Sequence, residues 1–191
     1  GLIMREAGKT LPNAVAEIRE AVDFLRYYGA QVAAQFDNAA QRPLGVVLAI
    51  SPWNFPLAIF AGQLAPALAA GNTVLAKPAE QTPIIAHQAV RLLWQAGVPR
   101  SAVQLVTGSG SRVGAQLVAD PRVQGVMFTG STEVARILQA TLAQRLSPAG
   151  KPIPLIAETG GQNCMVVDSS ALTEQVVNDV VSSAFDSAGQ R

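Results

Sequence analysis

Cysteine and histidine are scarce in this chain of 191 residues, which contains one of each. A single cysteine, Cys164, excludes an internal disulfide framework and fits a reducing compartment, so we predict a cytoplasmic protein. The single histidine, His87, has no partner histidine or cysteine at the spacing of a metal site. We therefore expect a structural role for His87 and predict no metal site.

Charged side chains are also few, at 14% of the residues against roughly 25% in an average soluble domain. This shortage predicts apolar surfaces that the rest of a protein normally covers, so we expect the isolated chain to self-associate. The net charge of +1 gives no reason to expect nucleic acid or an acidic membrane surface as a partner.

Long apolar runs are missing as well. Proline and glycine interrupt the apolar stretches, as Pro52 and Pro56 do between positions 46 and 60. No stretch supplies the roughly 20 apolar residues that a membrane-spanning helix needs. The first residues lack the basic and apolar regions of a signal peptide, and we interpret this start as a cut inside a larger protein.

Short apolar runs do alternate with segments of helical periodicity. Leu11, Val15, Ile18, Val22 and Leu25 recur at spacings of four and three, which predicts a long amphipathic helix. Further helices are expected at 57–70, from Pro83 with a Thr82 hydroxyl cap to about position 97, and from Thr173. The predicted strands cover positions 45–50, 73–76, 103–106, 125–128, 154–157 and 165–167.

This alternation predicts an α/β fold with a Rossmann-like, mostly parallel sheet. Right-handed crossovers would place helices on both faces of the sheet. A ligand is expected in the crevice at the carboxyl ends of the strands.

Positions 51–56, Ser-Pro-Trp-Asn-Phe-Pro, lie between a predicted strand and a predicted helix. Two prolines stiffen this loop, and the Asn54 amide offers donors to a developing negative oxygen. Taken alone, the pattern is equally typical of a rigid turn with a helix-capping asparagine.

Lys77 and Glu80 stand three positions apart at the end of the next predicted strand, with Pro78 between them. A cation and a carboxylate held in this way can grip the vicinal hydroxyls of a ribose from two sides. The commoner fate of such residues is a surface ion pair.

Two glycine-containing segments follow. Positions 107–114 have valine at 113, where the dinucleotide fingerprint requires glycine, so the ordinary Rossmann loop is absent and a flexible loop explains the segment equally well. Positions 128–131, Phe-Thr-Gly-Ser, end a predicted strand and open a helix. Backbone N–H groups at such a helix start suit a diphosphate, although Ser131 alone is also an ordinary cap.

Glu158 and Cys164 are the remaining reactive side chains of interest. Glu158 leaves an apolar strand, where partial desolvation would raise its pKa towards that of a general base, although an ordinary solvated glutamate fits the pattern too. Cys164 lies in the apolar run 163–167, where a cysteine is usually a small buried hydrophobe. We expect no catalytic role for Cys164.

In combination and order, these motifs resemble the aldehyde dehydrogenase family over nearly the whole chain. The resemblance implies that Asn54 helps to form an oxyanion hole and that Glu158 is the base that activates the catalytic cysteine or the deacylating water. It also implies that the cofactor is NAD. The residues that the resemblance assigns to the cofactor are Ser51, Pro52, Trp53, Lys77, Glu80, Gly110, Gly114, Phe128, Gly130, Ser131, Thr159 and Gly160.

Within the family, Thr159 is informative because most branches have leucine there. Together with positions 6–14 and 182–191, it resembles the bacterial bifunctional branch of proline catabolism. That branch oxidises L-glutamate-γ-semialdehyde (1-pyrroline-5-carboxylate) and carries an FAD-dependent proline dehydrogenase earlier in its chain.

The family's nucleophilic cysteine directly follows a Gly-Gln-x step, which here ends at Arg191. We therefore expect positions 1–191 to be a partial aldehyde dehydrogenase, mainly its NAD-binding domain, that does not oxidise a small aldehyde on its own. Two alternatives stay open: a nucleotide-binding or interaction module without turnover, and another branch of the family.

Overall fold

The computed structural model describes residues 1–186. Helices and strands alternate along this range, and a π-helical turn at Gly110–Gly114 directly precedes the fifth helix. The helices are α1 (Leu2–Ala7), α2 (Leu11–Gln35), α3 (Ala58–Ala69), α4 (Pro83–Gln95), α5 (Ala115–Ala119), α6 (Thr132–Leu142) and α7 (Thr173–Phe185). The strands are β1 (Val46–Ile50), β2 (Thr73–Lys77), β3 (Val103–Leu105), β4 (Val123–Gly130) and β5 (Leu155–Thr159).

The strands form one sheet in the order β3-β2-β1-β4-β5, and each neighbouring pair is parallel. Ile50 pairs with Lys77 on one side and with Phe128 on the other, and Phe128 pairs with Ala157. The carboxyl ends of four strands are therefore level with one another. From β1, the sheet extends through β2 and β3 on one side and through β4 and β5 on the other. The strand order therefore reverses between β1 and β4, and α/β sheets bind ligands at such a point.

Helices cover both faces of the sheet, as predicted. Along β1, Val47 and Ala49 belong to a core with Phe60 of α3, whereas Leu48 belongs to a second core with Leu138 of α6. Successive side chains of a strand point to opposite faces, so an unbroken apolar strand needs two apolar layers around it. The predicted α/β fold with a mostly parallel sheet is confirmed.

Helix α2 packs against α3 through a face that its periodicity did not indicate. The predicted helix exists, but its buried residues are Ala14, Glu17 and Ala21. The ring of Phe24 lies only 3.0 Å from the position that a Cβ atom of Gly62 would occupy. Small residues at the contact allow the two helices to approach closely.

That other face, which we call the α2 stripe, is exposed. Its side chains have between 38% and 61% of their surface accessible. The α2 stripe consists of Leu11, Val15, Ile18, Val22 and Leu25.

The capping of α4 also differs from the prediction. The Thr82 side chain makes no capping hydrogen bond, and its buried Oγ1 has no partner among residues 1–186. Instead, the carboxylate of Glu6 accepts hydrogen bonds from the N–H groups of Ile84 (2.9 Å) and Ile85 (2.7 Å). A carboxylate caps a helix start better than a hydroxyl because it also interacts favourably with the helix dipole.

The strand predicted at 165–167 is wrong. This segment lies outside the sheet, Cys164 is exposed rather than buried, and 88% of Val166 is accessible. Apolar residues form a strand only where a neighbour completes the hydrogen-bond ladder, and no described residue pairs with this segment. The predicted helix from Thr173 is present as α7, without a buried residue. Positions 187–191, which carry the Gly-Gln-x step, lie outside the described residues.

None of the helices in residues 1–186 combines the length and the apolar character that crossing a membrane requires.

Candidate active site

A cleft of about 820 Å³ opens at the carboxyl ends of β1, β4 and β5. Helix α2 contributes Phe24 and Tyr28 to its wall, and Ala79 reaches it from the segment after β2. Among the predicted site residues, those lining the cleft are Pro52, Trp53, Asn54, Phe128, Gly130, Ser131, Glu158, Thr159 and Gly160. The structure thus brings together motifs that are up to about a hundred positions apart in the chain.

Asn54 lies half-buried in the loop between β1 and α3. The N-cap position of α3 is occupied by Leu57, which makes no side-chain capping bond. The first N–H groups, those of Leu57 and Ala58, donate to Glu17 Oε2 at 3.0 and 3.2 Å. Asn54 is thus not the N-cap residue of α3.

Lys77 is the last residue of β2 and is only 3% exposed. Its Nζ donates to the carbonyl oxygen of Pro78 at 3.1 Å. Burial lowers the pKa of the Lys77 ammonium, and the negative charge of Glu80 opposes this shift. Glu80 itself is exposed, and no ion pair within 4.0 Å joins it to Lys77 in the described range. The two residues are thus not the surface ion pair left open above.

The glycine-containing segment 107–114 reaches Lys77. A Cβ atom on Gly114 would lie 3.6 Å from Lys77 Cε, so the Gly114 backbone packs against the lysine side chain. The segment ends in the π-helical turn rather than in a flexible loop. Gly110 begins this turn and is exposed.

Ser131 caps α6, with its Oγ accepting a hydrogen bond from the Val134 N–H at 3.2 Å. The other N–H groups of the first helical turn have no partner within the helix, so this helix start still offers donors to a ligand. A Cβ atom on Gly130 would lie 2.5 Å from Phe128 Cζ, so any other residue there would force the phenylalanine ring to move. Both interpretations of Ser131 stay compatible with this geometry.

Glu158 pairs with Thr129 across β4 and β5, which places its carboxylate at the cleft. The side chain is exposed within residues 1–186. The partial desolvation expected for Glu158 as a general base is therefore not seen in residues 1–186. Most of β5 is exposed, because the strand is at the edge of the sheet and no described strand pairs with its outer side.

Gln63 of α3 is a site residue that the motifs did not indicate. Its Nε2 donates to the Ile50 carbonyl oxygen at 3.0 Å and to Thr129 Oγ1 at 3.1 Å. It thereby joins the ends of β1 and β4 beneath the cleft. The available signal was its isolation, because it is a single polar residue within the otherwise apolar α3.

His87 and Cys164 lie apart from the cleft. His87 lines a separate surface depression with Arg91, Trp94 and Arg100. Cys164 is exposed and does not line the cleft. Across residues 1–186, no group of three or more potential metal ligands is found.

Comparisons with known proteins agree with this arrangement. The pattern of the aldehyde dehydrogenase family matches residues 1–191. The chain is 69% identical to the bifunctional protein PutA of Escherichia coli (strain K12) over 191 residues, which is 14% of that protein. It is 41% identical to a 1-pyrroline-5-carboxylate dehydrogenase of Bacillus cereus (strain ATCC 10987 / NRS 248), covering 100% of this chain and 39% of the relative.

Solved structures give the same result. A structure of proline utilization A (PutA) superposes with a TM-score of 0.93 and 56% identity, over 100% of this chain and 20% of the other. A Thermus 1-pyrroline-5-carboxylate dehydrogenase with bound NAD superposes with a TM-score of 0.90 and 35% identity, over 100% of this chain and 39% of the other. The chain belongs to the aldehyde dehydrogenase family.

Proposed function

We propose that this chain is the NAD-binding part of an enzyme that oxidises L-glutamate-γ-semialdehyde to glutamate in proline catabolism. The observation that carries the proposal is the position of Asn54 and Glu158 around one cleft, at the point where the strand order reverses. The names of the PutA and 1-pyrroline-5-carboxylate dehydrogenase relatives support this choice of substrate.

NAD fits the polar groups at the carboxyl ends of the strands. Ser51 Oγ and Gln63 Oε1 are buried without a hydrogen-bond partner within residues 1–186. Buried polar atoms rarely stay unpaired, and Gln63 lines the cleft, so its Oε1 is suited to a polar group of a ligand bound there. We propose that Lys77 and Glu80 hold the adenosine ribose and that the start of α6 at Gly130 and Ser131 holds the diphosphate.

In the proposed reaction, the Asn54 amide donates a hydrogen bond to the oxyanion that forms when a thiolate adds to the aldehyde. The thiolate in this proposal belongs to a cysteine other than Cys164, since Cys164 does not line the cleft. Bound NAD⁺ supplies the hydride acceptor. Glu158 then accepts a proton from the water that hydrolyses the thioester and releases glutamate.

The test is NADH formation by the full-length polypeptide that carries these residues. We expect saturable turnover that requires both NAD⁺ and L-glutamate-γ-semialdehyde, and no turnover by the 191-residue chain alone. NAD binding without turnover of any aldehyde by the full-length polypeptide would favour the non-catalytic module. A strong preference for an unrelated aldehyde would favour another branch of the family.

The ribose contact yields a binding prediction. Replacing both Lys77 and Glu80 by alanine should weaken NAD binding by about 1–3 kcal/mol, the cost of hydrogen-bonding groups left unpaired. Titration calorimetry on the full-length protein measures this difference. The matched control is Lys151→Ala/Glu174→Ala, which removes the same charges from two exposed positions. Equal NAD affinity of the Lys77/Glu80 variant and the wild type would refute the ribose assignment.

We also propose that apolar surface on this chain drives self-association. The α2 stripe is exposed, and so are Val177, Val180, Val181 and Phe185 of α7. Exposed apolar surface of this kind is usually buried by association. Light scattering over a dilution series of the 191-residue chain should show a mass that rises with concentration. Val15→Gln/Ile18→Gln should reduce that rise, and a monomer at all concentrations that binds no apolar dye would contradict the proposal.

A further inference from the structure

An ion pair lies on the side of the Asn54 loop that faces α2. Lys9 Nζ is 3.4 Å from Glu17 Oε1, and the two side chains are 4% and 1% exposed. Charged side chains are rarely buried to this degree, because removing them from water is costly unless they are paired. Neither residue lines the cleft, so contact with a ligand there does not explain the pair.

Both members of the pair contact the segment that carries Asn54. Glu17 Oε2 accepts hydrogen bonds from the N–H groups of Leu57 and Ala58, at the point where the loop becomes α3. The Lys9 Nζ lies 3.6 Å from the centroid of the Phe55 ring, which is a cation–π contact. Phe55 directly follows Asn54, so the contacts hold the loop at the next residue and again at the start of α3.

The start of α3 depends on a distant side chain. Its N-cap residue, Leu57, makes no side-chain capping bond, and the carboxylate that accepts from the Leu57 N–H comes from 40 residues earlier in the chain. The two oxygens of Glu17 are divided between two tasks, since one caps the helix and the other faces the ammonium of Lys9. Loss of the Glu17 carboxylate would therefore leave the N–H groups at the start of α3 without their acceptor and Lys9 as a buried cation without its ion-pair partner.

We propose that Lys9 and Glu17 are positioning residues for Asn54. They set the position of its amide from behind the loop and touch neither substrate nor cofactor. This inference rests on the oxyanion role of Asn54 in the proposed function. An error of about 1 Å in the placement of a catalytic group can lower the rate by about a hundredfold, so loss of the pair should affect kcat more than NAD binding.

The first test is amide hydrogen exchange, which does not depend on activity. In the full-length protein, Glu17→Ala should speed exchange in the peptide that covers residues 51–60 by about tenfold or more, and leave the peptide over β2 unchanged. The control Glu20→Ala removes the same side chain one turn away at an exposed position and should change neither peptide. Equal acceleration over the whole sheet would show general destabilisation and overturn the inference.

The second test is a double-mutant cycle on kcat. Glu17→Ala should lower kcat by about ten- to a hundredfold in the wild-type background, with the NAD dissociation constant changed less than twofold. In the Asn54→Ala background, the same change should have little further effect, because the group that it positions is already gone. Independent, additive effects of Glu17→Ala and Asn54→Ala would overturn the inference.

A second set of variants tests the inference if Glu17→Ala does not fold. Lys9→Met removes the charge and keeps the length of the side chain, and combining it with Glu17→Gln produces a neutral pair that retains an acceptor for the α3 N–H groups. Lys9→Met should lower kcat, and the double variant should recover part of the loss. Wild-type kcat in Lys9→Met would overturn the inference alone, whereas a wild-type protein without turnover would overturn the proposed function and this inference together.

Discussion

Replacing Asn54 by alanine is expected to lower kcat for semialdehyde oxidation by about a hundredfold or more, the usual effect of removing one oxyanion donor. The amide lies at the cleft, on a loop that two prolines and the contacts from Lys9 and Glu17 hold in place. Alanine leaves that loop backbone intact but cannot donate a hydrogen bond. NAD affinity should stay within about twofold of the wild type, because the proposed ribose contacts are separate.

Steady-state NADH formation by the full-length protein measures the change in kcat, and calorimetry measures the NAD affinity. Asn38→Ala is a suitable control, because it removes an exposed asparagine outside the cleft. A kcat within threefold of the wild type in Asn54→Ala would remove Asn54 from the chemistry. The loop would then be only a structural turn.

Glu158→Gln is expected to slow hydrolysis of the thioester by about a hundredfold or more, within the range typical of a lost general base. The amide has nearly the same shape but cannot accept the proton from water. If Glu158 serves only the deacylating water, the first turnover should stay fast. Pre-steady-state measurements should then show a burst of NADH followed by a slow steady rate.

If Glu158 also activates the thiol, the burst itself becomes slow, so the burst rate distinguishes its two possible roles. Glu174→Gln, at an exposed position in the first turn of α7 and outside the cleft, is the matched control. Unchanged acylation and unchanged deacylation in Glu158→Gln would exclude the residue as a base. Glu158 is exposed within residues 1–186, so unchanged kinetics would identify it as an ordinary solvated glutamate.

The sequence predicts the strands and the loops after them well, because both depend on neighbours along the chain. The short apolar runs that became β1, β2, β4 and β5 are bounded by glycine, proline and polar residues. Parallel strands in one sheet necessarily bring their carboxyl ends to one edge. The position of Asn54 and Glu158 at a common cleft follows from that geometry alone.

Contacts between distant segments are what the sequence could not predict. The carboxylate of Glu6 caps a helix 78 residues later, and that of Glu17 caps one 40 residues later. The local pattern offered Thr82 as the cap of α4, but its side chain makes no capping bond, and the N-cap position of α3 is occupied by Leu57 rather than by Asn54. Each of these carboxylates is brought to the helix start by tertiary packing and accepts hydrogen bonds from two N–H groups. Capping motifs are local in sequence, so they cannot predict such a contact.

The apolar periodicity of α2 is informative in a different way. Its spacing correctly predicts a helix, because spacing depends on the geometry of the helix. Which face packs against α3 depends instead on how closely the backbones can approach, and Ala14, Ala21 and Gly62 decide that. Large apolar residues therefore mark a face to be covered without specifying what covers it.

We propose that NAD lies in the cleft and extends over the segment after β2, and a crystal structure of the full-length protein with NAD⁺ tests this most directly. We predict that the adenosine ribose hydroxyls lie within hydrogen-bonding distance of Lys77 Nζ and the Glu80 carboxylate, with the diphosphate against Gly130 and Ser131. NAD⁺ bound elsewhere on the protein, with Lys77 and Glu80 making no contact to it, would contradict the account.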